Sequence, residues 1–180
     1  MKNFVDFLHR FASVKMLIVA VVAYAVFPAY FLKNAETRIN QLTGKPVEII
    51  DLGIGFNPER TRQLLDTYTP EARAYYASVE ATIDVAYPIV YAFLFAIIIA
   101  LLYRQNRHGL PRWIVALPFV GLLFDYTENF FIYQLLAQYP DISDTQILLC
   151  EAAKLGKWVV LGAVLLLIVY GLVRRLMPQK

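Results

Sequence analysis

The run WIVALPFVGLLFDYTENFFIYQLL, residues 113–136, decides how this chain is to be read. It is long and apolar enough to cross a hydrocarbon layer of ~30 Å, which takes about 20 residues of helix. Yet FDYTENFF, residues 124–131, places Asp125, Glu128 and Asn129 inside it. The three stand at i, i+3 and i+4, so they share one helical face with Gly121 and Ile132. That face has no business against lipid, because an ionised carboxylate at mid-membrane costs about 3 kcal/mol on insertion scales.

Working outward, three further runs approach or exceed the same length: residues 15–32, 86–103 and 147–173. The whole chain has 180 residues, is 59% hydrophobic and only 17% charged, and has a mean hydropathy of +0.52, a balance outside that of an ordinary soluble domain. The expected fold is all-α: an integral membrane four-helix bundle. The first run competes with a signal peptide, since MLIVAVVAYA follows a basic start and has small residues at Ala23 and Ala25. Its long leader contains Asp6 and its apolar stretch continues through VFPAYFL, so a retained anchor is expected.

Basic residues orient the bundle. Lys2, Arg10 and Lys15 precede span one, Arg104, Arg107 and Arg112 lie in the loop at 104–112, and Arg174, Arg175 and Lys180 lie in the tail at 174–180. The link at 137–146 has none and carries Asp141 and Asp144. Both termini are therefore expected to be cytoplasmic, as in a bacterial inner (plasma) membrane protein. The net charge of +3 follows from this topology, and nothing points to nucleic acid. Cys150 is the single cysteine, so no internal disulfide forms.

The leader at 1–14 spaces Phe4, Phe7, Leu8 and Phe11 as an amphipathic helix suited to the cytoplasmic interface. Residues 33–85 form an extracytoplasmic insertion too short for a roomy core of its own. Within it LTGKPVEII suggests a short β-prone run, and Asn57-Pro58-Glu59 a brief helix to about Thr67. Thr69-Pro70-Glu71 starts another, expected to run unbroken into span two with a kink at Pro88. Pro28 and Pro118 are expected to bend spans one and three. Arg73, Glu80, Asp84, Tyr87 and Tyr91 form a polar stripe on the long helix.

Span four presents Glu151, Lys154, Lys157 and Trp158 within a third of its circumference. By helical rise Glu128 is level with Lys154, and Asp125 with Lys157. Ala152, Gly156 and Ala163 occupy the other side, a small-residue face for another helix. The expected site lies in the outer half of the bundle and comprises Asp84, Tyr87, Tyr91, Asp125, Glu128, Asn129, Glu151, Lys154, Lys157 and Trp158. Its acids outnumber its lysines, which calls for bound protons, a cationic ligand or a metal ion. An ion-paired lock fixing helix register is the competing account.

No metal-ligand spacing is matched, and His9 and His108 both lie at the cytoplasmic edge, so neither metal nor cofactor is expected. Asp125, Glu128 and Lys154 are the candidates for acid–base chemistry, although no spacing names a reaction. FDYTEN lacks the paired aspartates and glycine of intramembrane prenyltransferases and CDP-alcohol phosphotransferases. In span count and acid placement alone the layout resembles the sterol isomerase and sigma-2 receptor group, and no residue role carries over. The expected function is binding, with or without chemical processing, of a lipid-like or small amphipathic molecule. The alternatives are a non-enzymatic partner subunit or assembly factor, docking a membrane protein or a second copy, and an oligomeric proton- or cation-coupled transporter.

Overall fold

The computed structural model describes residues 2–53, 55, 57–104 and 110–176. Arg107 and His108 of the basic loop, and Lys180 of the tail, lie outside them. The described chain is all-helical, and four of its helical stretches are long and apolar enough to cross a membrane: Val14–Thr43, Pro70–Leu102, Arg112–Gln138 and Asp144–Arg175.

The chain opens with α1 (Lys2–Phe11). Its buried face is Val5 and Leu8, continued by Ala12, while Phe4 and Phe7 stay largely exposed. Asp6 pairs with Arg112 at 3.1 Å, and Phe4 meets Phe119 edge-on, so α1 is strapped across the base of the bundle. After the Ser13 cap comes α2 (Val14–Val26), no residue of which is buried; it is a peripheral helix leaning on one neighbour. A π-helical stretch (Phe27–Leu32) begins beside Pro28 and passes directly into α3 (Lys33–Thr43). A proline cannot donate to the preceding turn, and widening that turn absorbs the defect. The expected bend at Pro28 thus takes this form, and span one continues as helix well beyond residue 32.

Residues 47–50 form no strand: among the described residues they have no partner strand, and Val47, Ile49 and Ile50 instead join the core beneath the helices of the insertion. The start signals that follow act as read. Asn57 caps α4 (Pro58–Thr67) by accepting from the Arg60 amide at 2.8 Å, and Thr69 caps α5 (Pro70–Glu80) by accepting from Ala72 at 3.1 Å.

The unbroken helix expected from Thr69 to Tyr103 is interrupted. It stops at Ala81–Thr82 and restarts as α6 (Ile83–Leu102). No glycine or proline marks this break. The Thr82 hydroxyl donates to the Ser78 carbonyl at 2.5 Å, a local side-chain bond that competes with the helical ladder. A 3₁₀ turn (Arg112–Ala116) leads into α7 (Leu117–Gln138), where Pro118 sits in the first turn. It therefore starts the helix rather than bending the span. Finally α8 (Asp144–Leu176) runs 33 residues without interruption.

Helices α7 and α8 share the most extensive interface. Two apolar cores stack along the bundle. One, at the end covered by residues 33–69 (the insertion end), gathers Ile50, Leu65, Tyr76, Ile132, Leu135 and Ile147; the other gathers Leu8, Ile97, Ile99, Val115 and Val164. Between them lies a layer of polar side chains.

Pro88 explains part of that layer. It has no N–H for the Asp84 carbonyl one turn back, and its ring crowds that carbonyl. The Asn129 side-chain amide donates to the Asp84 carbonyl at 2.9 Å, and the Tyr126 hydroxyl donates to the Val85 carbonyl at 2.8 Å. Asn129 of FDYTEN on α7 thus satisfies the acceptor that Pro88 frees on α6, and Tyr126 adds a second tie between the two helices. Replacing Asn129 by Ala is expected to cost about 1–3 kcal/mol, the penalty of a buried acceptor left unmade. In a Pro88→Ala background, where residue 88 regains its N–H, the loss should fall to less than half. Thermal unfolding of the four proteins in detergent gives the cycle, and equal losses in both backgrounds would refute this account.

Candidate functional site

The polar layer is assembled by α5, α6, α7, α8 and the turn at residues 49–53. Asp84, Asp125, Glu128, Asn129, Glu151, Lys154 and Lys157 are all buried. At its centre the Lys157 ammonium stands 2.5 Å from Glu128 and 3.8 Å from Asp125. Tyr91 donates its hydroxyl to the same Asp125 oxygen at 2.9 Å. One cation thus holds two carboxylates of the facing helix.

The sequence-level pairing is therefore half right. Asp125 does meet Lys157, but Glu128 meets Lys157 as well. Lys154 turns the other way, donating to the carbonyls of Ile50 at 2.7 Å and Gly53 at 2.9 Å, with Glu151 at 3.4 Å. Helical rise brought Asp125 to Lys157, but it carries no information about a loop that offers carbonyls to Lys154. Glu151 completes the clamp by accepting from the Gly55 amide at 2.8 Å. Gly55 has φ +77°, a left-handed conformation that a side chain would strain.

Three other expectations change. Trp158 is 47% exposed, with the Lys157 ammonium 5.7 Å from its ring centre, so it stands at the surface of α8 rather than in the interior. Tyr87 is only partly buried, and it stacks on Tyr24 and Phe27 of the first span while meeting Tyr91 edge-on. It forms the rim of the layer. Gly156, grouped with Ala152 and Ala163 as an external face, is used inside the bundle. A Cβ there would lie 2.6 Å from the Phe124 ring, so the bare glycine is what lets α7 and α8 approach. Ala152 and Ala163 remain exposed.

The structure adds two residues that sequence reasoning left out of the site. Glu80, assigned to the polar stripe only, is 2% exposed, and neither carboxylate oxygen has a hydrogen-bond partner. Asp51 comes from the turn at 49–53 and accepts from the Tyr76 hydroxyl at 3.0 Å, which itself accepts from the Ile50 amide at 3.1 Å. Asp51, Glu80 and Asp84 each offer an oxygen within 4.8 Å of the others. Burial and the negative fields of Asp51 and Glu48 hold the nearby Tyr68 phenol well above its ordinary value, so it remains a neutral donor to the Glu48 carbonyl. A proline-free EIIDLG turn gave no sign of reaching α8.

Two cavities flank this group. A cleft of about 310 Å³ is lined by Glu80, Ala81, Val85, Tyr126, Asn129, Phe130 and Tyr133, and another of about 350 Å³ between α3, α5 and the turn includes Lys33, Glu36 and Asp51. The first opens on the apolar flank of α6 and α7, where Val85, Phe130 and Tyr133 are exposed. At its floor the Asn129 amide is fixed in orientation: a carbonyl only accepts, so the amino group faces Asp84 and the oxygen is left buried without a donor.

Comparison with protein-family models, with curated proteins and with solved structures finds no match for this chain.

Lys157 is the residue whose loss should be felt most. Lys157→Met leaves two buried carboxylates without their cation and is expected to cost about 3–5 kcal/mol, the range for breaking a buried pair from one side. Adding Asp125→Asn and Glu128→Gln should restore part of that stability. Unfolding in detergent would measure both, and a triple variant no more stable than Lys157→Met would contradict the pairing.

Proposed function

We propose that this integral membrane protein binds a small amphipathic or lipid-like molecule in the cleft between α6 and α7, with a hydrogen-bond-donating head turned toward Glu80 and Asn129. One observation carries the reading: both oxygens of Glu80 and the side-chain oxygen of Asn129 are buried acceptors without a donor, at the floor of an apolar cleft. Unmade buried acceptors are costly, and a ligand that donates to them recovers that cost. An amine or polyol head meets the requirement; a purely accepting head does not. The apolar body lies along Val85, Phe130 and Tyr133, in a space of the size small-molecule sites occupy.

The charge pattern supports a bacterial plasma-membrane protein with both termini cytoplasmic, which opens the cleft to the outer leaflet. Binding is better supported than catalysis. Asp125 and Glu128 are engaged by Lys157, and Lys154 is engaged by the turn, so the three candidate acid–base groups already serve the fold.

Native mass spectrometry of the detergent-purified protein tests the proposal. Wild type is expected to carry a reproducible small-molecule adduct. Val85→Trp, which fills the cleft from the lipid side, should lose it, while Leu166→Trp on the exposed face of α8 should keep it. An adduct retained by Val85→Trp would place the ligand elsewhere and end this reading.

A further inference from the structure

Lys157 pairs with Asp125 and Glu128, whereas three carboxylates nearer the insertion end make no ion pair among the described residues. Asp51, Glu80 and Asp84 converge from the turn, the end of α5 and the start of α6. Ionised, they bring three negative charges to one point. Lys154 is directed at backbone carbonyls and Glu151, and Lys157 makes its ion pairs with α7.

We propose that Asp51, Glu80 and Asp84 form a binding site for one hard divalent cation, with Ca²⁺ the best fit, at the point where the insertion meets the bundle. The donors are all carboxylate oxygens, without nitrogen or sulfur, a set that selects Ca²⁺, Mg²⁺ or Mn²⁺ over zinc or copper. One oxygen from each residue lies within 4.8 Å of the others, the span allowed by two Ca–O bonds of about 2.4 Å. The sharper observation is Glu80. Its carboxylate is almost wholly buried and has no donor, which is how a ligand side chain looks when its ion is the intended partner.

Second contacts pre-set the group. Tyr76 donates to Asp51 while accepting from the Ile50 amide, and thereby fixes the Asp51 carboxylate at the head of its turn. Supporting contacts of this kind orient metal ligands. An approach exists on the side of α3, where Asp51 borders the cavity that also includes Lys33 and Glu36. Three protein oxygens leave room for the waters that complete a six- to eight-oxygen shell. Only one oxygen of Glu80 is needed, so the other remains for the amphipathic ligand proposed above, and the ion site does not depend on that proposal.

Calorimetric titration of the EDTA-stripped 180-residue chain in detergent with CaCl₂, and separately with MgCl₂ and MnCl₂, decides the matter. Wild type should take up one Ca²⁺ per chain. Glu80→Gln and Asp84→Asn should weaken binding about 100-fold or more and Asp51→Asn at least about 10-fold, since losing a ligand exceeds the 10–100-fold typical of outer contacts. In thermal unfolding of the EDTA-stripped proteins, added CaCl₂ should raise the melting temperature of wild type but not that of Glu80→Gln. Leu166→Trp, on the exposed face of α8, should leave the titration unchanged, and wild type that takes up Ca²⁺ without carrying a small-molecule adduct, or carries the adduct without taking up Ca²⁺, separates the ion site from the cleft. Should Glu80→Gln fail to fold, Asp51→Asn in the turn still reports. Absence of saturable uptake of all three ions by wild type, or uptake unaltered in Asp51→Asn and every folded ligand variant, overturns the proposal; tighter Mg²⁺ or Mn²⁺ than Ca²⁺ overturns the choice of ion.

Discussion

A lysine ammonium between two carboxylates, Lys157 against Glu128 and Asp125, sets the relative depth of α7 and α8. In a low-dielectric interior such a group tolerates little displacement, because each ångström of separation uncovers charge that the apolar surroundings cannot solvate. Apolar packing alone would let two long helices slide with small loss. Gly156 beneath Phe124 supplies the close approach, but a small-residue contact sets distance better than register. The ion pair supplies the register, and Tyr91 ties α6 to the same Asp125 oxygen.

The same register has to hold for the insertion to dock. Lys154 and Glu151 lie on the turn of α8 next to Lys157, and they grip the chain between Ile50 and Gly55 from both electrical sides. A lysine binds carbonyls and a glutamate binds an amide, so the clamp reads backbone rather than sequence. Arg62 reinforces it at the start of α8, pairing with Asp144 at 2.6 Å and donating to the Ile142 carbonyl at 3.0 Å. The insertion is too small to bury a core alone, and its Ile50, Leu65 and Tyr76 share one core with Ile132, Leu135 and Ile147 of the spans.

Periodicity and length made four helices and the shared face of Asp125, Glu128 and Asn129 legible, since both depend only on local geometry. The caps of α4 and α5 were legible for the same reason. What escaped was non-local. The break at Ala81–Thr82 has no helix-breaking residue to announce it, and Lys154 took partners from residues a hundred positions away. Asn129 was grouped correctly with the carboxylates, but its amino group answers a backbone defect on another helix. Trp158 shared the wheel sector of Lys157 and still points outward, because a third of a helix circumference is wider than the interior face that α8 presents.

An ion-paired lock and a ligand-bearing site need not compete for the polar layer. A lock requires partners in balance, and Lys157 with Asp125, Glu128 and Tyr91 has such a structure: each side chain has a counterpart, and the set joins three helices. Glu80 does nothing of the kind. It binds no helix to another, it satisfies no backbone group, and a leucine there would cost the fold less than the buried carboxylate does. The charge that register demands is thus spent at Lys157, and the charge in excess of that demand is concentrated one turn further out, where the turn at 49–53 brings Asp51 beside Glu80 and Asp84. Under the binding proposals made above, the centre of the layer has the stabilising role and its edge the binding role.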